Sequence, residues 1–199
     1  METGVVDFTA WGHLVAEQKA TERTSMQEFD QKVIVITGAG GNLGRAVAQA
    51  FAAQGAHLAL LDYNLDSCTK TLDSCSGQAS ARCFKVDLID AESVDRTLAD
   101  VLDTFGHVDV LANIAGGFAM GPLLQDTQDK DWNFMLDLNA RSVFNTCRRT
   151  LPSMLDNGGG RIINVVLQVI VNVLDYGMNV AVATNQPRIH QGWRRQPLG

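Results

Sequence analysis

Cysteine is scarce in this 199-residue chain: Cys68, Cys75, Cys83 and Cys147 form neither a C-x-x-C pair nor a zinc-ligand spacing. A disulfide scaffold and a structural zinc module are excluded. The four side chains read as reduced, packed thiols of a cytoplasmic protein, since no signal-peptide pattern opens the sequence. Proline is as rare, at four residues, and the composition, 46% hydrophobic and 19% charged, rules out the disordered and collagen-like classes. Basic runs are missing, and 22 acids against 16 bases leave a net charge of −6, so nucleic acid is not an expected partner. No uninterrupted apolar run spans a membrane either. The best candidate, 162–183, is broken by Asn164, Gln168, Asn172, Asp175 and Asn179. What remains is a folded domain with a small-molecule partner and no metal site.

Three regions follow from the patterning. Residues 1–31 mix charges with small polar residues, lack an apolar period and read as an extension, with Met26 a candidate second start just ahead of the first strand. Residues 32–166 alternate strand and helix. Val33-Ile34-Val35-Ile36 is a β-branched run suited to a strand covered on both faces. Leu43, Val47, Ala48, Phe51 and Ala52 then recur at helical spacing up to Gly55. Further strands are expected over 57–62, 81–86, 108–112 and 161–166, with helices over 65–74, 91–105 and, longest, 132–155, the last broken by the triple glycine of Asn157-Gly158-Gly159-Gly160. Such alternation implies an α/β fold, a Rossmann-type doubly wound parallel sheet with right-handed crossovers. Residues 167–199 depart from both periods and end in an Arg-rich stretch. The sheet is therefore expected to be truncated after about its fifth strand, leaving an exposed, association-prone edge and a mobile, solvated tail.

Thr37-Gly38-Ala39-Gly40-Gly41-Asn42-Leu43-Gly44 lies between the first strand and the first helix, where a doubly wound sheet holds a dinucleotide. Glycine lets backbone approach a pyrophosphate, and a helix N-terminus offers free N–H groups; helix-packing turns also use glycine. Asp62, 24 residues beyond Gly38 at the end of the second strand, is placed to accept hydrogen bonds from a ribose 2′-hydroxyl and to repel a 2′-phosphate, favouring NAD over NADP.

The glycine spacing breaks G-x-G-x-x-G at Leu43 and instead resembles the T-G-x-x-x-G-x-G turn of the short-chain dehydrogenase/reductase family, with Asn42 in place of the middle glycine. Asn is tolerable there if a left-handed conformation is needed. Asp87-Leu88 is similar to the family's adenine-contacting pair, Asn113-Ile114-Ala115-Gly116 to its N-x-A-G element, in which the Asn steadies the sheet and Ala-Gly passes the cofactor, and Asn139 to the long-helix asparagine that supports a proton relay. These elements resemble 3-oxoacyl-carrier-protein-reductase-like members. The resemblance implies hydride transfer between NAD(P) and an alcohol or carbonyl. It also implies cofactor contacts at Gly38, Asn42, Leu43, Gly44, Asp62, Asp87, Leu88, Asn113, Ala115 and Gly116, and homo-oligomers paired through the long helix at 132–155.

The family's chemistry further uses a Ser that polarises the substrate oxygen and a Tyr-x-x-x-Lys, in which the ammonium lowers a phenol pKa of about 10. Here no serine follows Ser153 and no lysine follows Lys130. Tyr176, the one later tyrosine, has Val180 four residues on, and His190 lies in the tail with nothing to orient it. Three accounts fit: a reading-frame change or alternative transcript after about Val165, a natural loss of catalysis with nucleotide binding retained, or a different chemistry on new residues. The chain is expected to be an oxidoreductase inactive for want of this trio, or else a catalytically inert dinucleotide-binding or interaction protein.

Overall fold

The computed structural model describes residues 29–75, 80–117 and 124–165, and the backbone of 190–194. Its centre is β1 (Val33–Thr37), every residue of which is buried. β1 lies between β2 (His57–Asp62) and β4 (Val110–Asn113), parallel to both. β3 (Ala81–Lys85) pairs with β2, and β5 (Gly159–Asn164) pairs with β4, again in parallel. The order β3-β2-β1-β4-β5 reverses direction at β1, and this creates a crevice at the carboxyl ends of β1 and β4.

Alternation along the strands explains the layers. Ile34, Ile36, Leu58, Leu60 and Ala112 face α1 (Asn42–Ala52) and α2 (Leu65–Ser74), closing on Ala48, Ala52 and Cys68. Val35, Ala59, Leu61 and Leu111 face the opposite way, onto α3 (Ala91–Phe105) and Met154 of α5 (Ser142–Asp156). Both faces are covered, so β1 carries no polar alternation. Local signals fix the helix ends. Asn64 and Asp90 cap α2 and α3 by accepting from the N–H groups of Ser67 and Glu92, and Gly106, at φ 82°, closes α3.

Four expectations are corrected. The fifth strand begins at Gly159, two residues before Arg161, and ends at Asn164; Val165 already has helical backbone. The triple glycine belongs to the strand and its turn, where Gly158 has φ 83° and a Cβ on Gly160 would lie 2.6 Å from Met154. The long helix is in three parts: α4 (Asp129–Leu136), a π-helical turn over Asp137–Arg141, and α5. β5 is not the last strand. β6 (His190–Arg194) pairs antiparallel with it, setting His190 opposite Ile163 and Arg194 opposite Gly159. Part of the expected solvated tail thus covers the expected bare edge, because a row of unpaired β5 groups is satisfied by any extended segment that returns to it.

The last residues of the expected N-terminal extension also join the domain. Phe29 packs edge-on against Phe51, with ring centroids 4.9 Å apart, and the Gln31 N–H donates to Gly55 O. Met26, Tyr176 and most of 167–199 lie outside the described residues.

Candidate dinucleotide site

The crevice floor is a turn that only backbone can build. Thr37, buried at the end of β1, accepts at Oγ1 from the N–H groups of Ile114 and Ala115, each at 3.1 Å, and so ties the β1 turn to the residues after β4. Gly38 takes φ 65°, and a Cβ there would stand 2.8 Å from the Ala115 Cα. A Cβ on Gly44 would lie 2.2 Å from the Gly38 carbonyl oxygen. α1 can start this close to β1 only because residue 44 has no side chain.

The α1 N-terminus faces the crevice. Its hydrogen-bond ladder opens with Arg45 N–H donating to Gly41 O, so the N–H groups of Asn42, Leu43 and Gly44 have no intrahelical acceptor. No acid sits in the first turn, and the Gly41 cap has no side chain to fill the end. Free donors and an uncompensated positive dipole end favour an anion. Asn42 is the first helical residue, with no positive φ, so the tolerance expected of Asn for left-handed backbone is not called on.

At the end of β2, Asp62 Oδ2 accepts from Gly40 N–H and Oδ1 from Asn64 N–H, both at 2.8 Å. The carboxylate is held in one orientation, and each oxygen keeps acceptor capacity for a further donor. After β3, Asp87 Oδ1 accepts from Ile89 N–H at 3.1 Å, and the Asp87 N–H donates to Ser93 Oγ. The Leu88 carbonyl accepts from buried Asn145 of α5 at 3.0 Å, which holds the loop against the helix layer.

A single open cavity of about 810 Å3 connects these elements. Nine of the ten residues expected to contact cofactor line it: Gly38, Asn42, Leu43, Gly44, Asp62, Asp87, Leu88, Ala115 and Gly116. The tenth, Asn113, does not. It is 2% exposed, and its side chain points into the protein, donating to Asn164 Oδ1 at 2.8 Å and accepting from Thr146 Oγ1 at 2.8 Å. Asn113 joins β4, β5 and α5, and leaves Ala115 and Gly116 to meet the cavity.

Asn139 occupies the π-helical turn, buried at 4% exposure. Its Oδ1 accepts from Gly117 N–H at 3.0 Å, and its Nδ2 donates to Gly117 O and Met135 O, each at 2.9 Å. The widened turn supplies the Met135 acceptor and lets one amide read both polar groups of Gly117, fixing the backbone after Gly116. Sequence reasoning missed Tyr63, Ser67, Val86, Ile89, Phe134 and Leu138, which also line the cavity. Phe134 and Leu138, four apart and exposed or half-exposed on the long helix, were the only readable signal among them.

The thiols are held in their neutral form. Burial pushes Cys68, Cys75, Cys83 and Cys147 above the usual thiol range; at Cys147 the contacts with Asn113 and Thr146 act the other way. Among the described residues, no helix is long and apolar enough to cross a membrane.

A family model described as short chain dehydrogenase matches residues 32–172. A second, described as gamma-glutamyltranspeptidase, matches residues 156–197. The two overlap across β5. Among curated proteins the chain is similar to 2,3-dihydro-2,3-dihydroxybenzoate dehydrogenase of Bacillus subtilis, at 34% identity over 138 residues, covering 69% of this chain and 52% of that protein. D-threitol dehydrogenase of Mycolicibacterium smegmatis is also 34% identical, over 148 residues, covering 74% and 56%. A solved structure of NAD+-bound xylitol dehydrogenase superposes with a TM-score of 0.70 at 31% identity, over 79% of this chain and 59% of that one. The chain thus spans about half the length of the curated relatives it matches.

Proposed function

The chain belongs to the short-chain dehydrogenase family, and from that premise we propose that it binds NAD, in preference to NADP, as the cofactor half of an oxidoreductase acting on an alcohol or carbonyl. One arrangement carries this reading: the free α1 N-terminus and the oriented Asp62 carboxylate face the same cavity. The N–H groups of 42–44 would hold the pyrophosphate. Asp62 would accept from the adenosine ribose, Asp87 and Leu88 would flank the adenine, and Ala115 and Gly116 would pass the nicotinamide end. Bound there, the nicotinamide would supply hydride acceptance and donation, while these residues would bind and orient it.

Turnover needs a group that moves a proton at the substrate oxygen, and the sequence offers neither Ser nor Tyr-x-x-x-Lys after β5. We therefore expect binding without measurable hydride transfer. The gamma-glutamyltranspeptidase match over 156–197 supports a join of two coding segments over a change of reading frame, because out-of-frame translation has no reason to follow a family pattern. Transpeptidase activity is no part of the proposal. Pairing of two copies through the long helix is supported by the exposure of Trp132 and Phe144, and a cytoplasmic setting by the four free thiols.

Calorimetry with NAD and NADP tests the reading. NAD should bind more tightly than NADP, and Asp62→Arg should weaken NAD by about tenfold and narrow or reverse the preference, the loss expected for one charge-assisted hydrogen-bonding partner. Equal binding of the two cofactors, or none by a folded sample, overturns it. NADH oxidation with any carbonyl that is lost in Asp62→Arg would overturn the expected inactivity alone.

A further inference from the structure

At the carboxyl ends of β2 and β3 the register sets two opposite charges side by side. Asp62 is the last residue of β2 and Lys85 the last of β3, and the two are direct partners across the parallel pair. Their side chains leave the same face of the sheet, the one on which Leu58, Leu60 and Cys83 pack, because residues two apart along a strand point the same way. Neighbouring strands stand about 4.8 Å apart, a span that the flexible four-carbon stem of a lysine bridges with ease.

The two nevertheless do not pair. No ion pair among the described residues takes up Asp62 or Lys85. Both Asp62 oxygens already accept backbone N–H groups, from Gly40 and Asn64. The Lys85 ammonium lies instead over the ring of Tyr63, 5.8 Å from its centroid. Tyr63 follows Asp62 directly, is 70% exposed and lines the 810 Å3 cavity, whereas Lys85 does not line it. An exposed ring beside the carboxylate thus keeps the cation of the adjoining strand out of the cavity.

We propose that Tyr63 is a positioning residue for cofactor choice: its ring holds the Lys85 ammonium away from the ribose 2′ position, so that Asp62 meets that position alone. The inference rests on the cofactor reading above. A 2′-phosphate beside Asp62 would be repelled by the carboxylate and attracted by any cation free to approach, since lysine binds phosphate as a point charge on a mobile stem. With Lys85 held on the ring the repulsion stands, and with Lys85 released it is partly offset. Cation–π attraction at an exposed site is weak, so Asp62 sets the preference and Tyr63 sharpens it.

Calorimetric titration of the full chain with NAD and with NADP tests it, read as the ratio of the two dissociation constants. Loss of the Tyr63 wall costs both cofactors alike, so a merely structural role leaves the ratio where it was. Tyr63→Ala should move the ratio toward NADP by about two- to fivefold, and the shift should shrink in about 0.5 M salt, which screens an exposed charge. Adding Lys85→Met to Tyr63→Ala should abolish the shift, and Tyr63→Phe, which keeps a ring beneath the ammonium, should restore the ratio of the unaltered chain. Both side chains are exposed, so folding should be retained; should Tyr63→Ala not fold, Tyr63→Leu reads the same ratio. A ratio unmoved by loss of the ring, or a shift that persists in the double variant, overturns the proposal and leaves the preference for NAD intact. A folded, unaltered chain that binds neither cofactor overturns the cofactor reading and this proposal with it.

Discussion

The β1–β3 side of the crevice and the β4–β6 side are built on different principles. On the first, the cradle is backbone: the turn at Gly38, the helix start at Gly44 and the N–H groups of 42–44, with the Asp62 carboxylate held at its rim by the Gly40 N–H. On the second, position depends on buried side chains that meet from distant parts of the sequence: Asn113 with Asn164 and Thr146, and Asn139 with Gly117. A backbone site survives whatever follows β5. The proton-transfer side chains that the resemblance implies would come after β5, where the sequence has neither serine nor lysine.

The largest effect expected of a single change is at the backbone cradle. Gly44→Val forces a Cβ to 2.2 Å from the Gly38 carbonyl, where neither partner is a flexible side chain. Calorimetry should find NAD binding lost, and denaturant unfolding should show a loss of about 3–5 kcal/mol, the range for forced backbone strain in a core. Unaltered NAD affinity in this variant would remove the contrast between the two sides.

A smaller effect, of the opposite character, is expected at Asn113→Leu. It removes the donor to Asn164 and the acceptor of Thr146 without touching the cavity lining. The cost should be about 1–2 kcal/mol, since the half-buried Asn164 oxygen loses its donor while Thr146 keeps the Ser142 and Val143 carbonyls as acceptors, read as a melting temperature lower by about 2–8 °C. NAD affinity should change less than threefold. A variant that loses NAD binding but keeps its melting temperature would place Asn113 with the cofactor and not with the sheet.

The smallest effect is in alkali. Burial raises the four thiols, so between their unfolded and folded pKa values the folded state holds more protons than the unfolded state. Stability from these groups is complete below pH about 8.5 and declines as pH rises above it, by at most about 1.4 kcal/mol per thiol per pH unit. Cys68→Ser should flatten the fall in melting temperature between pH 8 and pH 10. An unchanged slope would mean that the Cys68 thiol is no more shielded in the folded chain than in the unfolded one.

Much of the first side was legible in order and spacing. The β-branched run of β1, the helical period through Ala52 and the cap residues Asn64 and Asp90 each act within a few residues, so pattern alone reads them. Asn113 was legible as a motif residue that steadies the sheet, but its partners were not, because they lie 33 and 51 residues away. The long helix was expected unbroken since nothing local marks a π-helical turn; it exists where Asn139 is drawn to the Gly117 backbone. β6 was expected as a solvated end because His190 to Arg194 carry no strand alternation of their own, and pairing with β5 supplies what the pattern lacks.

By itself, then, the sequence determined the parallel βαβ order, the glycine turn, the Asp62 position and the missing serine and lysine, all of which follow from local periodicity, steric demand or simple presence. Only the tertiary structure decided which distant partners Asn113 meets, that β6 closes the β5 edge and that an apolar groove stands beside the crevice. These are matters of which distant groups meet, and a hydrogen bond or an uncovered face is set by the packing of whole layers, not by the residues on either side of it in the chain.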